Sequence, residues 1–583
     1  MTVSPSRRPL RRTVELLDRT PRWVSILLGV GCAALGLALL TRPLTSLTLL
    51  GILIGAACVT TGVSDLMAAS RSATPRTGRV LGVAWILLGI AIVGWLGHTI
   101  GLLAPVVAVA LVCSGVTRLV RVLRGDADER AATVLFGSAD IVFGAVAWFW
   151  PDVTLLVVSL LFGIRTVVFG VTRIWAGVTG RPDRSDAPPV RRPVARFGRT
   201  VAATLAFALA IGTAVLGHQM RTGTPTVDAF YTAPASVPAE PGALLRVEPF
   251  TRDVPDDAIA WRILYTTTRD EGAPALASGI VMVGRGAPAG PRPVIAWAHG
   301  TTGYGRQCAP SLVPAPFESG ALPAESALLD RGWALVATDY VGLGTEGPHP
   351  YLIGQGEARS VLDAVLAARQ LDGVHLSDRT VVWGHSQGGH AALWTGILAP
   401  SYAPDAGVVA VAAMAPASDL VGLVGALPGI TGGSLFASYV LAAYPAVYPD
   451  IDPDSYVRPA ARTLLREMST RCLSEPGVVA SALTALSMSG DGPYLRQDPT
   501  LGAFGRRLAE NIPAGPLSVP LLLAQGETDP LVTPAMQSGF VDAKRREGWE
   551  VDYRTYPDRD HIGLVADDSG FIPELLAWTE RQF

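Results

Sequence analysis

Charge is scarce in this chain. Only 16% of its 583 residues are Asp, Glu, Lys or Arg, while 49% are hydrophobic, and a disordered chain has the opposite balance. An excess of either sign is also missing. Lys+Arg 47 against Asp+Glu 49 gives a formal net charge of −2, so no global basic field exists to attract nucleic acid. Cysteine is sparse at five, and Cys32, Cys58 and Cys113 sit in apolar stretches, which leaves Cys308 and Cys472 as the one pair elsewhere.

What is abundant is apolar sequence, and it is concentrated in the first 220 residues. Seven stretches there approach the ~20 residues that a bilayer requires: Trp23 to Leu40, Leu47 to Val63, Val80 to Leu96, Ile100 to Val120, Ala131 to Trp150, Val153 to Trp175 and Val201 to Leu216. They lack the polar stripe of a helix buried in a soluble core. The loops between them sort by charge. Arg7, Arg8, Arg11 and Arg12 precede the first stretch, Arg71, Arg76 and Arg79 follow the second, Arg118, Arg121 and Arg124 the fourth, and Arg181, Arg184, Arg191, Arg192, Arg196 and Arg199 the sixth. The alternate loops are short and nearly free of basic residues. By the positive-inside rule the N-terminus is cytoplasmic, and an odd seventh span delivers everything after His218 to the other side. In that oxidising setting a Cys308–Cys472 disulfide is expected.

An internal repeat runs through the apolar half. Gly62-Val63-Ser64-Asp65-Leu66, Gly115-Val116-Thr117-Arg118-Leu119 and Gly170-Val171-Thr172-Arg173-Ile174 recur at offsets of 53 and 55 residues, each closing a helical hairpin. Small residues spaced along the spans suit close helix packing. Asp140 and Arg165 lie at similar distances on either side of the Pro151 turn, so an intramembrane ion pair between them is expected. The hairpin pattern over about residues 20–178 resembles the HdeD-like acid-resistance membrane proteins.

The expected organisation is a cytoplasmic N-terminus (1–22), six spans in three hairpins (23–178), a basic Pro-rich linker (179–199), a seventh span (200–217), a tether (218–244) and a second domain (245–583). In that last part short β-branched runs alternate with amphipathic stretches, which predicts a mostly parallel α/β sheet. A long segment at about 418–517 reads as a cap insertion.

Within the second domain, Val381-Val382-Trp383-Gly384-His385-Ser386-Gln387-Gly388-Gly389-His390 is an apolar strand running through G-x-S-x-G into a helix. This is a nucleophile elbow: Gly384 and Gly388 leave room for Ser386 in a strained turn. A serine hydroxyl needs a base and an acid that orients the base, in the chain order Ser, Asp or Glu, His. His390 lies one turn along the same helix, which leaves His561 as the base. Asp529, after the apolar run Leu521 to Ala524, is the expected acid, with Glu527 as its rival. The oxyanion donors are expected at the Gln387 N–H and at either Thr301, in the His299-Gly300-Thr301-Thr302-Gly303 turn, or Asp339. Such chemistry requires no metal and no cofactor.

Thr338-Asp339-Tyr340-Val341-Gly342-Leu343-Gly344, Ile353-Gly354-Gln355-Gly356-Glu357 and the GHSQGG elbow together resemble the secretory lipase family of α/β hydrolases, over about residues 228–583. The resemblance implies a triacylglycerol lipase or carboxylesterase with a cap, the triad Ser386, Asp529 and His561, and oxyanion donors at Gln387 and Asp339. It departs from the family in its membrane half, which secreted members lack. The expected partners are an ester or lipid substrate and a lipid bilayer, without nucleic acid, and the oligomeric state stays open. Two other readings remain: an acyltransferase or serine peptidase on the same triad, or a membrane stress or transport protein with an inactive hydrolase domain.

Overall fold

The computed structural model describes residues 21–69, 75–125, 129–179, 192–269, 272–286 and 290–583. They form two compact units. One holds the residues up to His218 together with Arg458–Leu464 and Leu486–Tyr494; the other holds Gln219–Val457, Leu465–Ala485 and Leu495–Phe583. Arg7, Arg8, Arg11, Arg12, Arg71, Arg181, Arg184 and Arg191, used above to orient the chain, lie outside the described residues.

The first unit contains seven long helices: α1 (Arg22–Leu40), α2 (Pro43–Ala69), α3 (Pro75–Gly94), α4 (Leu96–Leu123), α5 (Arg130–Phe149), α6 (Pro151–Thr179) and α7 (Arg192–Thr222). Six of them are long and apolar enough to cross a membrane. The exception is α3, whose apolar part, Arg79–Gly94, is shorter. The turns at Thr41-Arg42, Trp95 and Trp150 separate the two arms of each hairpin.

The closest packing joins one hairpin to the next rather than the two arms of one hairpin. Added Cβ atoms at Gly62, Gly115 and Gly170 would come within 2.4 Å of Gly82 O, 2.4 Å of Gly137 O and 2.5 Å of Gly29 O. The seams are therefore α2/α3, α4/α5 and α6/α1. A second layer repeats the arrangement, with Gly55 against Gly89, Ala108 against Gly144 and Gly163 against Gly36. Backbones approach this closely only where side chains are absent. The third seam joins the last repeat helix to the first, and α2, α4 and α6 touch one another. The three hairpins thus close into a ring with pseudo-threefold order.

Asp140 does not pair with Arg165. Its Oδ2 lies 3.1 Å from Arg118 Nε across the α4/α5 seam and accepts a hydrogen bond from Ser114 Oγ at 2.9 Å, while Arg165 on α6 is exposed. Equal depth on the α5–α6 hairpin was the wrong criterion, because the tight neighbour of α5 is α4.

The second unit is built on one nine-stranded sheet: β1 (Leu244–Phe250), β2 (Ala258–Thr268), β3 (Pro274–Gly284), β4 (Arg292–Ala298), β5 (Ala334–Thr338), β6 (Leu376–His385), β7 (Val408–Met414), β8 (Leu521–Gly526) and β9 (Val551–Tyr556). Their order is β1-β2-β3-β5-β4-β6-β7-β8-β9. The pairs β1–β2, β2–β3 and β3–β5 are antiparallel, and β4 through β9 run parallel to one another. The short β-branched runs read from the sequence fall on β3 to β9; β1, at the sheet edge, and β2, beside it, mix polar and apolar residues and were missed.

The further helices of seven residues or more in the chain are α8 (Gly354–Ala368), α9 (Gln387–Tyr402), α10 (Leu420–Ala426), α11 (Gly433–Val447), α12 (Arg462–Ser469), α13 (Val478–Ser489), α14 (Gly502–Glu510), α15 (Pro534–Arg546) and α16 (Phe571–Glu580). Helices α8 and α9 cover one face of the sheet, where Val361, Leu362, Val365, Ala391 and Leu393 pack on Val294, Ala296, Val382 and Val411. The opposite face packs Trp297, Trp383 and Leu522 against Leu575 and Trp578 of α16. Helices α10 to α14 all lie between β7 and β8, where the cap was expected.

The glycine seams predict a position-specific effect. Gly29→Val, which must force Gly170 O and Ile174 aside, should destabilise the detergent-solubilised protein by about 1–3 kcal/mol, as overpacking does. Gly31→Val on the same helix, with nothing within 4 Å, should leave the unfolding midpoint unchanged.

Candidate active site

Three parallel strands deliver the chemistry at their C-terminal ends, the usual position for a site in such a sheet. Strand β6 ends at His385 and α9 begins at Gln387, so Ser386 occupies the turn between them with φ 59 and ψ −117. A side chain in that conformation is strained. The turn holds because neither glycine flanking the serine has room for a Cβ: one on Gly384 would come 2.0 Å from Gly388 O, and one on Gly388 would come 1.9 Å from Ala298 O.

The loop after β9 carries His561, whose Nε2 lies 2.8 Å from Ser386 Oγ. Its Nδ1 lies 2.6 Å from Asp529 Oδ2 in the loop after β8. A carboxylate there assigns the ring proton to Nδ1 and leaves Nε2 to accept from the serine. Asp529 is buried and fixed in turn: its Oδ1 accepts the N–H groups of Leu531 and Val532 at 2.8 and 2.9 Å, and its Oδ2 accepts Gln525 Nε2 at 3.2 Å. The rival Glu527 is exposed and accepts a bond from Thr555 Oγ. It points away from the histidine.

His385, beside the serine, places its Nε2 2.8 Å from the backbone oxygen of His561. Burial pushes the His385 pKa down to about 3, so a neutral ring donates this bond and holds the loop of the base. His299 is similarly driven down to about 4 by burial and contacts the Gly300 and Asp339 oxygens beneath the turn.

Gln387 and Thr301 line one slot together with Ser386. The Gln387 side chain is clamped from behind: its Nε2 donates to Glu357 Oε1 at 2.7 Å and lies 3.0 Å from His349 Nε2. Glu357 also accepts the Leu352 N–H and faces His390 Nδ1 at 3.3 Å, and His390 reaches Asn511 O through its other nitrogen. Complete burial raises the Glu357 pKa. Glu357 was visible in the Gly354-Gln355-Gly356-Glu357 motif, but nothing in the spacing revealed its partners.

Asp339 is not brought to the slot. Its carboxylate accepts Ser278 Oγ, Ser311 Oγ and Ser311 N–H at 2.6, 2.5 and 2.8 Å, and its own N–H is taken by Ser278 O. With every donor and acceptor committed inside the protein, it ties β3, β5 and the loop at Ser311 together. Thr301 does line the slot, with its hydroxyl 3.0 Å from Tyr351 OH. Cys308 and Cys472 are joined in a disulfide, which links the loop after β4 to the cap.

Apart from Tyr351, the rest of the slot is apolar, with Leu423 and Val424 from α10, Leu427 from the turn after it, Phe436 and Val440 from α11, and Leu531 and Val532 from the loop of the acid. Its cavity volume is about 20 Å³, so the slot is nearly closed. An uncharged acyl chain fits such walls, while a charged group does not. Among the described residues no group of three or more His, Cys, Asp or Glu is placed to hold a metal ion.

Fold and site together define an α/β hydrolase with a serine–histidine–aspartate constellation. Residues 323–493 match the family model described as Secretory lipase. Residues 27–79, 80–145 and 135–188 each match a model described as a short repeat of unknown function, so the threefold repeat read from the glycine motifs is real. Lipase A of Moesziomyces aphidis is 23% identical over 407 residues, covering 65% of this chain and 85% of that protein. Lipase 6 of Candida albicans is 26% identical over 276 residues, covering 43% and 57%. The X-ray structure of Candida antarctica lipase A aligns with a TM-score of 0.50 at 18% identity, covering 61% of this chain and 85% of that one, which shows a shared fold. The second unit has the α/β-hydrolase fold and carries the match to the secretory lipase model.

Two substitutions separate orienting from structural carboxylates. Asp529→Asn should lower kcat on an ester substrate by about 10,000-fold, the scale expected when the acid no longer selects the histidine tautomer, with the unfolding midpoint little changed. Asp339→Asn presents an amide to three donors and should cost about 1–3 kcal/mol of stability, measured by denaturant titration. The folded fraction should keep its reaction with a fluorophosphonate probe.

Proposed function

We propose that this chain is a membrane-anchored serine hydrolase of carboxylic esters, lipase- or esterase-like, that acts outside the cytoplasm through an acyl-serine intermediate. The observation that carries the reading is the hydrogen-bonded relay from Ser386 through His561 to Asp529, at 2.8 and 2.6 Å, opening on an apolar slot. His561 Nε2 takes the Ser386 proton as Oγ attacks the ester carbonyl. The Gln387 N–H and Thr301 stabilise the oxyanion. The alcohol leaves with the proton from His561, and water then releases the acid by the same steps in reverse.

The lipase relatives and the secretory lipase match support an ester substrate. Six apolar helices and the repeat matches support membrane residence. The Cys308–Cys472 disulfide supports an oxidising compartment for the hydrolase unit.

The test is hydrolysis of p-nitrophenyl esters of graded acyl length by the full chain in detergent, beside Ser386→Ala. Activity that vanishes with the serine is expected, and a preference for longer chains would place the enzyme among lipases. Absence of hydrolysis from a folded protein on every ester would overturn the reading; acyl transfer to added alcohols in place of hydrolysis would establish the acyltransferase. For topology, protease added to intact cells should remove the hydrolase unit, and an intact unit would overturn its placement outside.

A further inference from the structure

Helix α13 of the cap has its polarity inside out. Its buried face consists of Ala480, Ser481, Thr484, Ala485 and Met488, so hydroxyls are taken into the protein. Its outward face carries Val479, Leu483 and Leu486, 48%, 59% and 52% exposed, at the i, i+4, i+7 spacing of one helical stripe. Ala482 lies on the same face, and the helix holds no charged residue. A helix designed for water would show the reverse pattern, and a contiguous apolar stripe with no charge marks contact with something other than water.

The occupant follows from where the helix starts. Pro476, just before α13, packs on Gly223, where an added Cβ would lie 2.6 Å from the proline ring. The side chain of Glu475 hydrogen-bonds Thr224. Gly223 and Thr224 directly follow α7, whose apolar stretch Arg196–Thr222 is long enough to cross a membrane. The chain therefore leaves the end of that span and meets the start of α13 within two residues. An apolar, uncharged helix held at that point faces the zone where headgroups meet acyl chains.

We propose that α13 docks on the lipid bilayer through Val479, Leu483 and Leu486, and so gives the cap segment a membrane contact of its own besides the α7 tether. The inference rests on the reading of α7 as a membrane span, and it concerns lipid rather than a second copy of the chain.

The test uses the full chain in phosphatidylethanolamine–phosphatidylglycerol vesicles, with Cys32, Cys58 and Cys113 replaced by Ser and the disulfide intact. Nitroxide labels are placed at Leu483→Cys and Leu486→Cys, at Leu209→Cys in the exposed face of α7, and at the exposed Glu550→Cys. Collision with dissolved oxygen is compared with collision with a water-soluble nickel chelate. Labels at 483 and 486 should favour oxygen severalfold relative to the label at 550, approaching the label at 209. Labels at 483 and 486 that match 550, or that are shielded from both reagents as beneath a protein partner, would overturn the proposal. In those cases a lipid signal at 209 leaves the α7 reading standing, and an aqueous signal at 209 shows that it has fallen as well.

Discussion

The hydrolase unit depends on one close approach, the contact of the Gly388 Cα with the Ala298 carbonyl. Because a Cβ at that point would sit 1.9 Å from the oxygen, α9 can begin directly against the end of β4, and Ser386 is held at positive φ above the sheet. Strand register supplies the rest. Gly384 lies beside Ala298 on one side and Ala413 on the other, so the ends of β4, β6 and β7 are level and their loops converge. The strain at Ser386 is held by the packed sheet and α9 beneath it, which is how an unfavourable dihedral persists at a site.

The helical unit uses the same absence of Cβ for a different end. Inside a bilayer the hydrophobic effect does not pull helices together, so close backbone approach has to supply the attraction. Six seam positions, Gly62 with Gly82, Gly115 with Gly137 and Gly170 with Gly29, repeat the same geometry three times. The ion pair of Arg118 with Asp140 occupies the positions three residues beyond Gly115 and Gly137. The corresponding pairs, Asp65 with Trp85 and Arg173 with Cys32, are not complementary charges. The ring is therefore regular in backbone but polarised at one seam.

Much of the site was legible because its chemistry obeys short-range rules. The elbow needs small residues two positions either side of Ser386, and chain order then singles out His561. Asp529 was chosen over Glu527 by its place beyond the strand end, and the turn at Leu531 and Val532 explains that choice with two N–H bonds. Asp339 was misread because a buried, fully bonded aspartate and an active-site aspartate look alike in sequence; its partners Ser278 and Ser311 are 61 and 28 residues away. The Asp140 pairing was recoverable from the repeat itself, since Gly115 and Gly137 carry Arg118 and Asp140 at equal offsets. Hairpin depth concealed it because the tight seams run between hairpins.

The cap is held differently on its two sides. One side is pinned: the disulfide joins Cys472 to Cys308 across 164 residues, Tyr439 OH donates to Arg471 O, and Asn511 O receives Trp394 Nε1. Closing so long a loop removes freedom mainly from the unfolded chain, while in the folded chain it joins the cap to the loop that carries Thr301. The other side, α10 and the turn at Leu427 to Gly432, contributes Leu423, Val424 and Leu427 to the slot and contains Gly425, Gly429 and Gly432, of which the last two have no neighbour within 4 Å of an added Cβ. The side chains of Leu420, Leu423, Val424 and Leu427 are buried, so on this side the cap is held by apolar packing rather than by a covalent link. The hydrogen bonds that hold Ser386, His561 and Asp529 all lie outside α10, so the apolar wall and the reacting groups are supported independently.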